Sequence, residues 1–417
     1  SPRGFLLIAG QQFIGMVLGF IVWVLLARML PVDDFGEFNA AFGVAMMAGT
    51  LANLGLAQYI TVPFRAAIDT RDFHLARGLR RIVPACIGVA ALVAYVVIFT
   101  AHMIFDHGST VRDESFAAVL ALLPMIGIML YLVATANVHG APGRAMFISV
   151  PLLQILIGFG LVAVLLQNDD AFDILDAALI WVAAMTVVCL LLWRLNLSVE
   201  EPDFKAGPTK LAWRSWTSGT LPYLLNGTAS VVLIQSPFLV LGWIHVSGEQ
   251  AAMFAAADRL AQLLAVAGLA GSAMFLPLLA DAIRSRNHAY CLRLIRRWFI
   301  LVGTINVIGL CLLWLFGDHF LGLYGLQYRD AYPLLLVTGT SIGFSMTASV
   351  FLSVVQYDGG GRLVIRTSLI WSFIGVLAMI VLGSKWEAMG VAIGQAGAFM
   401  GMYLTFTIMA RGVLGRM

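Results

Sequence analysis

This chain is poor in charge. Only 11% of its 417 residues are Asp, Glu, Lys or Arg, against about 25% in ordinary soluble domains, while 61% are hydrophobic. That balance excludes a water-soluble globular fold and marks an integral membrane protein. Cysteine is scarce as well: Cys86, Cys189, Cys291 and Cys311 stand singly, three of them within apolar segments, which predicts no disulfide and no metal site. His102 and His139 are isolated and read as structural. GxSxG, HExxH, Walker A and GxGxxG contexts are all missing, and Gly359-Gly360-Gly361 follows no strand, so it reads as a turn. The chain is therefore not read as an enzyme, and no cofactor is expected.

What is present is apolar sequence in lengths that suit a bilayer. About 20 residues of helix cross the roughly 30 Å hydrocarbon layer. Twelve segments approach or exceed that length: 5–27, 38–60, 82–105, 117–138, 145–167, 177–193, 216–244, 251–280, 298–317, 331–356, 367–384 and 388–410. The first is longer than a signal-peptide core and lacks an A-x-A-like cleavage site, so it reads as a retained helix. Eleven of the twelve contain no charged residue. The exception is 251–280, where Asp258 and Arg259 stand side by side. Each charge costs roughly 2.5 to 3.5 kcal/mol to insert, which makes the pair a candidate functional site.

Basic residues in short loops favour the cytoplasmic side. With the N-terminus inside, 20 of the 25 Lys and Arg residues fall in cytoplasmic segments; Arg28, Arg112, Arg329 and Lys385 lie opposite, and Arg259 lies in the membrane. Both termini are then cytoplasmic. The longest connection, 194–215, carries Glu200, Glu201, Pro202, Asp203, Gly207 and Pro208 and reads as a linker. It divides the chain into a lobe over 1–200, a cytoplasmic linker over 201–215 and a lobe over 216–417. Phe38-Asn39-Ala40-Ala41 and Phe254-Ala255-Ala256-Ala257, 216 residues apart, mark related halves entering the membrane in the same direction. The expected fold is all-α and polytopic, with twelve transmembrane helices in two six-helix lobes around a central cavity.

Other polar groups join the charged pair. The seventh segment carries Pro222, Asn226, Thr228, Gln235, Ser236 and Pro237, and two prolines in one span invite a kink. Gln11, Gln12, Asn39, Asn53, Gln154, Gln356 and Gln395 suit interhelical hydrogen bonds, worth about 0.6 kcal/mol each, or contacts to sugar hydroxyls. Gly15 and Gly19, Gly339 and Gly343, Gly390 and Gly394, and Gly397 and Gly401 have the GxxxG spacing that allows close helix packing. The arginines at 77, 80, 81, 293, 296 and 297 follow from topology, with phosphate headgroups as the alternative role.

Three stretches carry a family resemblance: Ala27-Arg28-Met29-Leu30-Pro31 with Asp34-Phe35-Gly36-Glu37-Phe38 and Leu54-Gly55-Leu56; Leu323-Tyr324-Gly325 with Tyr328 and Ala331; and Ala257-Asp258-Arg259-Leu260 running to Leu276-Pro277. Together they resemble the polysaccharide and O-antigen-type lipid-linked oligosaccharide flippases of the multidrug/oligosaccharidyl-lipid/polysaccharide exporter superfamily. By that resemblance, Asp258 and Arg259 match the charged pair of the related lipid II flippases, and Arg28 matches the Arg closing their first helix. Met16, Val22 and Gly49 stand where those flippases carry further Arg residues, and two of their helices have no counterpart, so a polysaccharide repeat unit suits the chain better than a peptidoglycan precursor.

The resemblance implies a flippase of the bacterial cytoplasmic (inner) membrane. It would move a polyprenyl-pyrophosphate-linked oligosaccharide to the outer leaflet by alternating access, as O-antigen and exopolysaccharide assembly requires. Arg259, Asp258, Arg28, Asn226, Gln235 and Asn39 are the expected substrate-binding residues. The expected partners are the lipid-linked oligosaccharide, membrane lipids, a coupling ion (H+ or Na+) and other polysaccharide-assembly membrane proteins, with no nucleic acid. The alternatives are an ion-coupled multidrug exporter of the same superfamily, for which Asp258 is the lone acidic group in the bundle, and a membrane glycosyltransferase or polymerase, for which Asp169, Asp170 and Asp173 are the nearest carboxylate cluster.

Overall fold

The computed structural model describes residues 2–70, 73–105, 113–167, 172–200, 209, 213–244 and 246–417. Most of the expected 201–215 linker, and Asp169 and Asp170, lie outside them. Every described element is helical: α1 (Pro2–Met29), α2 (Val32–Ala52), α3 (Leu56–Asp69), α4 (Phe73–Phe105), α5 (Asp113–Leu120), α6 (Leu122–Val138), α7 (Pro142–Phe147), α8 (Leu153–Leu166), α9 (Ile174–Val199), α10 (Trp213–Trp243), α11 (Gly248–Ala261), α12 (Ala265–Arg284), α13 (His288–Trp298), α14 (Thr304–Leu321), α15 (Tyr332–Val355) and α16 (Gly361–Leu414).

Among the described residues, eight helical stretches are long and apolar enough to cross a membrane, and up to ten if each of two bent pairs counts as one span. Their outward faces are apolar too. Val89, Leu92, Val93, Val96 and Val97 of α4 are all exposed, as are Ile305, Ile308, Leu312 and Trp314 of α14. Water would penalise such bands, whereas hydrocarbon accepts them. The chain is a multi-pass membrane protein.

Helix breaks fall where backbone chemistry permits them. The bend between α2 and α3 uses Leu54 (φ 53°) and Gly55 (φ 69°). The Asn53 side chain holds it, accepting from Ala57 N at 2.8 Å and donating to Gly127 O at 3.2 Å. A Cβ at Gly55 would collide with the backbone nitrogen of Leu224. The glycine is thus required twice, for its conformation and for the approach of α10. The other bent pair is Tyr223–Ala229 with Val231–Trp243, both in α10.

The longest helical stretch, Leu326–Leu414, also breaks twice. Gly359 (φ 88°) opens one turn, and Glu387 (φ 50°) lies in a second. Past Glu387 the limbs of α16 fold against each other: a Cβ on Gly394 would lie 2.6 Å from Met379 N, and one on Gly390 would strike the Leu382 carbonyl. Small residues at these positions let two backbones touch, as the GxxxG spacing predicts.

Contact density separates two units. Ser1–Ala40 groups with Val232–Met417, and Ala41–Val231 forms the second. The core of the second unit includes Ile60, Phe64, Leu79, Ile87, Tyr131 and Leu192. In the first, α1 packs on α11 and α12, and α11 packs on α15. That arrangement sets the surroundings of Arg259.

Candidate functional site

The alanines of α11 determine how closely it is enclosed. Ser247 caps the helix by accepting from Gln250 N at 3.3 Å. Every residue from Ala251 to Asp258 is then buried. Where α2 begins, a Cβ on Gly36 would collide with the Gly248 carbonyl, and a Cβ on Gly248 would lie 2.8 Å from Asp33 Cα. The two helices therefore start in backbone contact. Val32 and Gly248 are 216 residues apart, the same offset that relates Phe38 to Phe254. Both of those phenylalanines are fully buried.

Arg259 lies in the last turn of α11, where the helix dipole favours a cation. Beyond it, Gln262–Leu264 tighten into a 3₁₀ turn before α12 resumes, so the stretch 251–280 is an interrupted helix. Such tightening inside a span often marks a hinge. Asp258 is 4% exposed, and its Oδ2 accepts from Gln262 Nε2 at 2.6 Å. The partner stands one turn along, the spacing at which helix side chains meet.

The guanidinium sits among aromatic rings. Its carbon lies 4.3 Å from the ring centroid of Trp23 and 5.7 Å from that of Phe238. Trp23 meets Phe35 at 6.3 Å and Phe38 at 6.2 Å. Phe35 meets Tyr324 at 6.5 Å and Tyr328 at 5.9 Å, and the two tyrosines stand 5.8 Å apart. Arg259 as a whole is half-buried, with Nε and Nη2 sealed from solvent. Ring faces attract the cation by roughly 0.5 to 2 kcal/mol, more as water is excluded.

Tyr324 and Tyr328 have buried hydroxyls with no hydrogen-bond partner among the described residues. Burial pushes the Tyr324 phenol above its ordinary pKa, so it stays protonated as a donor. Arg28 reaches the same loop, donating from Nε to the Leu323 carbonyl at 2.6 Å. Asn39 is fully buried and donates to Phe35 O at 2.8 Å, while its Oδ1 has no partner among the described residues. Gln235 Oε1 is likewise buried without one. Asn226 lies in α10, and its side chain is outside the described residues.

The structure thus gathers Arg259, Asp258, Arg28 and Asn39 around one aromatic frame. Trp23, Phe35, Phe238 and Gln262 belong to that surround and were absent from the sequence-based set. Phe35, Tyr324 and Tyr328 carried a sequence signal, through the motifs that contain them. Asp173, by contrast, caps α9 in a reciprocal pair with Asp176, with bonds of 3.1 and 3.3 Å. A capping role accounts for that carboxylate.

Residues 1–282 match the family described as "Polysaccharide biosynthesis protein". The chain belongs to this family. No curated protein is significantly similar to it in sequence. Among solved structures, the chain is similar to an inward-facing multidrug resistance MATE family transporter of the MOP superfamily, with TM-score 0.77 at 17% identity over 97% of this chain and 95% of that one. An outward-facing structure of such a transporter gives TM-score 0.67 at 17% identity, covering 99% and 96%. A MOP superfamily transporter from Pyrococcus furiosus, described as having a binding pocket of reversed polarity, gives 0.65 at 16% identity, again covering 99% and 96%. At these identities the likeness establishes the fold.

Proposed function

We propose that this family member is a flippase for a polyprenyl-pyrophosphate-linked oligosaccharide, carrying it from the cytoplasmic to the outer leaflet of a bacterial inner membrane. The observation that carries the reading is the placement of Arg259: a guanidinium held against aromatic faces in a membrane helix, beside a carboxylate that Gln262 already engages. A pyrophosphate would bring further oxygen acceptors to that guanidinium. Its paired oxygens match the guanidinium fork, and a charged hydrogen bond contributes roughly 1.5 to 3 kcal/mol against the 0.5 to 2 kcal/mol of a cation–π contact. Asp258 offsets the charge when no cargo is present.

Splitting Leu326–Leu414 at its two breaks, and counting each bent pair as one span, brings the candidate spans to twelve. This supports twelve helices, and two six-helix lobes with cytoplasmic termini complete the proposed architecture. The transporter fold, solved elsewhere in inward- and outward-facing forms, supports alternating access about a central cavity. A coupling ion and other polysaccharide-assembly proteins complete the proposal.

The test is translocation itself. Labelled lipid-linked oligosaccharide in proteoliposomes should become accessible on the far leaflet with the native protein and stay inaccessible with Arg259→Ala. Normal translocation by a folded Arg259→Ala protein would remove the assignment. A multidrug exporter is the second reading, favoured by what the structural neighbours are described as transporting. It requires Asp258 to meet a cationic drug, and the adjacent Arg259 opposes that.

A further inference from the structure

The unit Ala41–Val231 contains a cavity of about 400 Å³ that the cargo proposal does not use. It lies between α4, α6 and α9, with Phe64 of α3 at one end. Along α9 its wall runs from Thr186 to Glu200. Fourteen helical residues span about 21 Å, against roughly 15 Å for half the hydrocarbon layer. The cavity therefore has the depth of one leaflet and part of its headgroup region. Leu190 and Trp193 on its rim are exposed, so it opens sideways, toward lipid.

Its two ends differ in chemistry. One is closed by Met125 and Thr186. At the other, Arg80 Nη1 meets Glu200 Oε2 at 2.6 Å, with the Glu200 side chain 4% exposed. One turn before Glu200, Asn196 is 6% exposed and donates Nδ2 to the carbonyls of Leu132 and Leu192, at 3.0 and 2.9 Å. Its Oδ1 is buried with no hydrogen-bond partner among the described residues. An orphaned buried acceptor costs roughly 1 to 3 kcal/mol, so this end of the cavity is short of a donor.

We propose that this cavity binds a single phospholipid whose zwitterionic headgroup ends in a primary ammonium. The phosphate pairs with Arg80, the ammonium bridges Glu200 and Asn196 Oδ1, and one acyl chain follows the apolar wall toward Met125. The headgroup class follows from the charges. A cation and an anion side by side match a headgroup carrying one of each, and Glu200 opposes a net negative lipid. Asn196 needs an N–H, which an ammonium has in threefold supply and a quaternary amine lacks. The basic residues near Arg80 favour the inner leaflet for the headgroup. The site stands independently of the cargo assignment.

Native mass spectrometry on the purified full-length protein tests this directly. Phosphatidylethanolamine, phosphatidylcholine and phosphatidylglycerol of identical chains are added in turn. Ethanolamine lipid should be retained about tenfold better than either of the others, and Glu200→Gln or Asn196→Leu should remove that preference, since one charged hydrogen bond is worth about that factor. Thr186→Trp, at the opposite end, should reduce retention of all three by obstructing the chain. Equal retention of the three lipids, a preference for the glycerol lipid, or a preference that survives both Glu200→Gln and Asn196→Leu would overturn the proposal. Should those polar variants fail to fold, unchanged retention by Thr186→Trp would overturn it.

Discussion

Arg259 holds its guanidinium carbon 4.3 Å from the ring centroid of Trp23, although the two residues come from the separate stretches Ser1–Ala40 and Val232–Met417 that build this unit. The contact joins α1 to α11. A guanidinium stacked on an indole keeps its fork geometry, which matches paired ligand oxygens.

Arginine at 259 should not be replaceable by lysine. Lysine keeps the charge but lacks the planar fork that stacks on Trp23 and matches two phosphate oxygens. Arg259→Lys should lower the translocation rate in proteoliposomes by roughly tenfold or more, the equivalent of one charged hydrogen bond. A rate equal to native would show that charge alone suffices.

Tyrosines 324 and 328 separate stability from transport. Their hydroxyls are buried without partners among the described residues. Removing an unsatisfied hydroxyl is near neutral or stabilising, by up to roughly 1 to 3 kcal/mol. Tyr324→Phe should therefore melt at or above the native temperature in detergent while translocating more slowly. A lower melting temperature would mean that the hydroxyl is already satisfied.

The start of α11 should tolerate no added methyl group. Gly36 and Gly248 face backbone atoms of each other's helices, where no flexible side chain can move aside. Gly36→Ala and Gly248→Ala should each destabilise by roughly 1 to 3 kcal/mol, the usual cost of overpacking. Thermal unfolding in detergent measures this, and melting temperatures equal to native would contradict the contact.

Asn53 should matter to the second unit alone. It holds the α2–α3 bend through Ala57 N and ties it to Gly127 O. Asn53→Ala removes both bonds and leaves Ala57 N without its cap, which should cost roughly 1 to 3 kcal/mol. Hydrogen exchange should speed up around residues 53–57, and protection equal to native would refute the role.

Much of this molecule is legible in its sequence because a bilayer imposes local rules. A helix must supply its own backbone hydrogen bonds in lipid, so long apolar runs announce spans by length alone. The same rule makes the lone charged pair at 258–259 conspicuous, and the 216-residue offset is visible in the residues themselves. The break at Glu387 falls in the gap between the expected spans 367–384 and 388–410, whereas the interruption at Gln262–Leu264 was less legible, because apolar composition runs through it while the backbone tightens.

The surroundings of the charges belong to tertiary structure. Nothing in chain order says that Trp23, Phe35 and Tyr324 will enclose Arg259, or that Arg28 will hold the Leu323 carbonyl. Nor does it say that Asn196 and Glu200 will meet Arg80 at the mouth of a cavity. Apolar length depends on local transfer energy, which each segment carries by itself. The partner of a buried side chain depends on which helices pack together, and that is decided only when the chain folds.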